Sequence, residues 1–93
     1  MTTIEINIED SEFVEKAFYE YNASLNILSY LFKQNDINEE YLEQYIQKSE
    51  KYYIILEEAK VAIANKYKPD NLENFNYSFD FVNHSIIYSK KEE

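Results

Sequence analysis

The chain has 93 residues, with 18 carboxylates against 9 lysines, a formal net charge of −9, and no Cys, Gly or Trp. That length allows one domain with a modest core, and the absence of Cys excludes disulfides and thiolate metal sites. Stability must come from apolar packing or from association. The charge, with no Arg to grip phosphate in a bidentate fork, argues against direct nucleic-acid binding and against anionic membranes.

Lys, Asn, Ile, Tyr and Phe supply 46 of the 93 residues. All five have AT-rich codons, so the tyrosines follow from base composition before any binding role is invoked. The acid excess does not, because the same bias enriches Lys. Met1-Thr2-Thr3-Ile4-Glu5 is acidic where a signal peptide is basic. The longest apolar run, Tyr52–Leu56, is far shorter than the roughly 18 residues of a membrane span. These features predict a cytoplasmic protein.

Residues 3–8 alternate, with Ile4, Ile6 and Ile8 on one side, and predict a short strand. Asp10 and Ser11 offer N-caps for a helix over 11–33, with Val14, Phe18, Tyr21, Leu25, Leu28 and Phe32 inward. Gln34–Asn38 reads as a turn. Asp36 followed by Glu39 resembles a capping box opening a second helix over 38–67. Its inward residues are Leu42, Tyr45, Ile46, Ser49, Tyr53, Leu56, Ile63 and Tyr67, and Pro69 closes it. So short a turn predicts an antiparallel hairpin.

After Pro69 the period changes to two. Phe75, Tyr77, Phe79 and Phe81 alternate with polar residues, and Ile86-Ile87-Tyr88 follows a turn, so 75–88 reads as a strand or a β-hairpin. Residues 89–93 read as a tail. The fold class is mainly α, of the α+β type: a long antiparallel helical hairpin with short terminal strands, in the order β-α-α-β(-β). The terminal segments are expected to pair and cover one face of the hairpin.

Catalytic chemistry finds little support. His84 is the only histidine; with Asp80 it supplies two ligands, too few for a metal site. Phosphate loops need Gly for close backbone approach. Glu39 with Glu43, and Glu50 with Glu57, could meet on a helix, but general-acid chemistry needs a pocket that raises a carboxyl pKa. The Glu-x-x-His pattern of di-iron bundles is missing. The expectation is a non-enzyme without cofactor or metal.

In size and hairpin shape alone, the chain resembles the WXG-type secreted helical hairpins of Gram-positive bacteria. Their Trp-x-Gly turn has no counterpart here. Their Tyr-x-x-x-acid tail signal is matched at Tyr88–Glu92, and equally at Tyr53–Glu57 within the second helix. With ten tyrosines and 18 acids, chance supplies such pairs.

Two surface features remain. Phe13, Tyr19, Ile27, Tyr30 and Leu31 on the first helix, and Tyr41, Tyr52, Ile54, Ile55 and Val61 on the second, widen the apolar girdle. Two helices facing only each other cannot bury it, so the strands, a second copy or a partner must. In addition Asp36, Glu43, Glu50 and Glu57 recur every seven residues, forming a column flanked by Glu39, Glu40 and Glu58. The i+4 neighbours of Glu43, Glu50 and Glu57 are Gln47, Ile54 and Val61, not Lys. Such a column either solubilises the chain or docks on a partner. The expected function is a non-catalytic acidic module that occupies the basic, nucleic-acid-binding surface of a protein partner. An inhibitor or adaptor from a phage or mobile element of an AT-rich bacterium fits that description. The alternative is a homodimeric structural or secreted hairpin.

Overall fold

The computed structural model describes residues 1–34, 36, 38–70 and 72–91. Its elements run β1 (Thr2–Glu5), α1 (Ile8–Phe32), α2 (Glu39–Lys66), β2 (Phe75–Asp80) and β3 (Ser85–Lys90). The architecture is the α+β hairpin read from the sequence, with both helices more than six turns long.

The helix starts differ from expectation, and for one reason. Asparagine does the capping. The Asn7 side chain accepts from the Asp10 N–H at 2.8 Å, so α1 begins at Ile8 and the strand expected over 3–8 stops at Glu5. Asn38 likewise accepts from the N–H groups of Glu40 and Tyr41, displacing Asp36 from the cap. Asn35 and Ile37 of the expected turn lie outside the described residues.

Released from capping, Asp10 clamps the hairpin base. Its carboxylate accepts from Lys66 Nζ and from the Tyr67 hydroxyl, each at 2.7 Å. The Tyr67 hydroxyl in turn accepts from the Asn7 N–H at 3.2 Å. These bonds tie the first turn of α1 to the last turn of α2. Lys66 first, and Tyr67 second, hold the Asp10 carboxyl below its ordinary value.

The three strands form one antiparallel sheet in the order β1-β3-β2. The terminal segments were expected to pair; β1 pairs with β3 and not with β2. β3 takes the centre because it carries the most buried side chains: Ser85, Ile86 and Tyr88 are all inside. It runs to Lys90, shortening the expected tail, whose Glu92 and Glu93 lie outside the described residues. The Tyr88 hydroxyl donates to the Ala64 carbonyl at 2.6 Å. Ala64 is in the last turn of α2, where carbonyls lack helical partners, so a strand side chain completes the helix end. Burial pushes the Tyr88 phenol up.

His84 closes the β2–β3 turn with φ 48°, a left-handed conformation that His tolerates better than most residues. Its carbonyl accepts from the Ile6 N–H at 2.9 Å, and its Nδ1 lies 3.0 Å from the hydroxyl of buried Ser11. Asp80 bonds Asn83 instead of His84, by both backbone and side chain.

The core gathers Ile6, Val14, Ala17, Leu56, Ala59, Ile63, Ala64, Ile86 and Tyr88. It sits at the base, where the first half of α1 and the second half of α2 meet the sheet. Farther up, the helices meet through Ser24, Leu28 and Ser49. The two serine hydroxyls are satisfied by carbonyls of their own helices, Tyr21 and Ile46. This contact line turns the expected stripe aside, and Phe18, Leu25, Phe32 and Tyr53 are left exposed.

The sheet is too small for the hairpin. Six-residue strands span about 20 Å, whereas helices of this length span about 40 Å. The molecule measures 54 × 32 × 17 Å with a radius of gyration of 16.7 Å. A compact chain of this length has a radius near 12 Å.

Candidate protein-binding surfaces

The helical hairpin is a flat ribbon with two broad faces. On the first lies the sheet. Phe81 packs on Phe18 with ring centroids 5.7 Å apart, and the half-buried Tyr77 phenol, raised by desolvation, feels the charges of Lys60 and Glu57. Coverage of α1 reaches about Tyr21, and coverage of α2 stops near Leu56. Beyond that edge the same face continues uncovered into the arm of the hairpin, residues 22–32 and 39–55. There an open groove of about 450 Å³ is lined by Tyr21, Ser49, Glu50, Tyr53 and Ile54. Tyr21 and Tyr53 form its floor, with rings 5.4 Å apart.

The acidic column borders this groove. At 100° per residue, a seven-residue step returns within about 20° of its start, so Glu43, Glu50 and Glu57 descend α2 in one line. Their α-carbons are about 10.5 Å apart. Glu43 and Glu50 are exposed, and among the described residues neither has a cation within salt-bridge distance. Glu57, at the sheet edge, is half-buried and paired with Lys60 at 3.1 Å, an i,i+3 contact that i+4 spacing overlooks.

The remaining expected site residues fall elsewhere. Asp36 is exposed and precedes α2, so it is not in the column. Glu39 and Glu40 occupy the first turn of α2, where carboxylates complement the positive end of the helix. Glu58 is exposed and turned about 100° from Glu57, toward the outer edge. The structure therefore gathers Glu43, Glu50 and Glu57 on the groove face and leaves Asp36, Glu40 and Glu58 off that line. The apolar half of the groove went unassigned, since Tyr53 reads as an inward residue. One signal for it exists in the sequence: segments of six residues cannot cover helices of more than twenty.

On the second face there is no sheet at all. A smaller cavity of about 200 Å³ lies there, lined by Glu20, Ala23, Ser24, Ile27, Tyr45, Lys48 and Tyr52. The rings of Tyr41 and Tyr45 lie 5.2 Å apart, and Lys48 Nζ sits 5.8 Å from the Tyr45 centroid. Face one carries the acidic column, whereas the cavity on face two is charge-balanced, with Glu20 and Lys48 in its lining.

Among the described residues no three His, Asp or Glu side chains gather as metal ligands, and no helix is long and apolar enough to cross a membrane. No protein-family model, curated protein or solved structure matches the chain.

Proposed function

We propose that this chain is a non-catalytic, acidic protein-binding module that lays the arm of its hairpin on a basic surface of a partner protein. The observation that carries this reading is an open apolar groove with the Glu50 carboxylate in its lining and that of Glu43 about two turns farther along the same line of α2, neither paired with a cation among the described residues. Apolar area supplies contact, and the carboxylates supply orientation and steering. A nucleic-acid-binding surface suits these carboxylates as a target, because such a surface presents the cations that neutralise phosphates. A net charge of −9 adds long-range attraction to such a surface. Inhibition or adaptation follows by occupancy, in the cytoplasm of a bacterial host whose AT-rich phage or mobile element encodes the chain.

The test is kinetic. A partner captured from a bacterial host is measured against the natural chain and the Glu43→Gln/Glu50→Gln variant at several salt concentrations, with duplex DNA as competitor. The account expects a loss of about tenfold to hundredfold in affinity, much of it in the association rate. It also expects weakening with salt and displacement by DNA. Glu57→Gln alone should do less, since Lys60 already neutralises that position. Unchanged rates and a flat salt response overturn the reading.

A further inference from the structure

The charge-balanced face has a different occupant. We infer that it is the interface with a second copy of this chain, forming a twofold four-helix assembly whose acidic faces point outward.

Exposed area is the first argument. The chain exposes 7111 Å² at a mass of 11.2 kDa, whereas a compact monomer of that mass exposes about 5,700 Å². The excess of about 1,400 Å² per chain is the size of one side of an obligate homodimer interface.

The second argument is where charge is missing. Tyr21 to Phe32, twelve consecutive residues of α1, contain no charged side chain in a sequence that is 29 % charged. A solvated helix of this protein is otherwise acidic. Ile27, 42 % exposed, and Leu31 present that neutral stretch on the second face. Tyr41, Tyr45 and Tyr52 face the same way from α2. A basic partner gains nothing from such a surface, but the same uncharged stretch of a second copy does. The small side chains Ala23 and Ser24 leave room for close approach.

The third argument is self-complementarity. The cavity on this face carries one anion, Glu20, and one cation, Lys48, from opposite helices. Among the described residues, the one cation near Glu20 is the exposed Lys16, in a loose contact of 4.0 Å. A twofold axis parallel to the helices lays α1 of each copy on α2 of the other. All four neighbouring helix pairs are then antiparallel, as in up-down bundles. Lys48 of each copy then faces the α1 helix that carries Glu20 of its mate, and an isologous contact makes both such approaches at once. The sheets and the Glu43–Glu50 line remain on the two outer faces, so self-association and partner binding do not compete.

Sedimentation of the full chain across concentrations tests this. The natural protein should be dimeric at about 10 µM. Ile27→Glu should weaken the dimer by about 100-fold or more, because a charge is buried unpaired. Leu25→Glu, an equally exposed position on the groove face, should leave it within about threefold. Glu20→Lys and Lys48→Glu should each weaken it by about tenfold, and the double reversal should recover most of that loss. Circular dichroism checks that each variant is folded. Should Ile27→Glu fail to fold, the charge-reversal set decides on its own. A monomer at about 100 µM overturns the inference. So does a dimer broken by Leu25→Glu, or a double reversal no better than the singles.

Discussion

The base of the hairpin and its arm are built from the same two helices, with the same residue types, and differ only in what lies on them. At the base, Val14 and Ile86 are fully buried, and the Asp10, Tyr67 and Tyr88 hydroxyl or carboxyl groups knit helix ends to one another and to the sheet. In the arm, Leu25, Ile27, Tyr30, Phe32, Tyr53 and Ile54 stand in solvent. Periodicity is thus the same where a core forms and where a surface forms. What separates them is the length of chain available as cover.

If this division is right, one kind of substitution must have very different effects in the two regions. Ile86→Ala empties a fully enclosed site in the central strand and should cost about 3–4 kcal/mol. Ile54→Ala, 55 % exposed in the arm, should cost no more than about 0.5 kcal/mol. Denaturant unfolding of dilute protein measures both. Similar losses at the two sites would erase the distinction. Next in size is Tyr88→Phe, which keeps the ring but strands the buried Ala64 carbonyl, for a loss of about 1–3 kcal/mol. It should raise exchange of the last-turn amides of α2 more than any others.

His84→Ala probes the turn that carries the sheet to Ser11. It removes the hydrogen bond to Ser11 and leaves the β-carbon of a left-handed residue without the ring contact that offsets its strain, for about 1–2 kcal/mol. His84→Gly relieves the backbone part and should recover some of that loss. Equal destabilisation by both would mean that the imidazole alone matters. Among the contacts of the base the smallest expected effect belongs to Asp10, since Lys66 is largely exposed and solvent screens the pair. The folded-state value of Asp10 is depressed, so its contribution is fully present above the unfolded value near 4 and is lost as pH falls through the folded value. Asp10→Asn should lower stability by about 1 kcal/mol at neutral pH and flatten the acid limb below about pH 4. An unchanged acid limb would move the pH dependence to other carboxylates.

Much of this fold was legible in the sequence. The change of period at Pro69 separates helix from strand, and the five elements lie close to their expected positions. The boundaries were less legible because three polar residues compete for the first cap and two for the second. Asn7 wins because Asp10 and Ser11 have tertiary partners that local pattern does not contain, and Asn38 caps α2 in place of Asp36. Inward faces were read mainly from large apolar residues; Ser49 was placed inward and is buried, whereas Ser24, which carries no hydrophobic signal, was not. The acidic column was visible as a seven-residue repeat. Its lower end is blunted by Lys60, at a spacing of three. The groove beside it depends on where the sheet stops, which is a property of the assembled fold.

The most direct measurement is amide hydrogen exchange along α1 in dilute, monomeric protein. Buried contacts set local stability, so the account predicts strong protection at residues 11–21, approaching that of β3. Residues 24–32 should exchange at least about 100-fold faster and gain protection when the chain is concentrated or bound. Uniform protection along the whole helix would contradict the account, because the arm would then be stable without any cover.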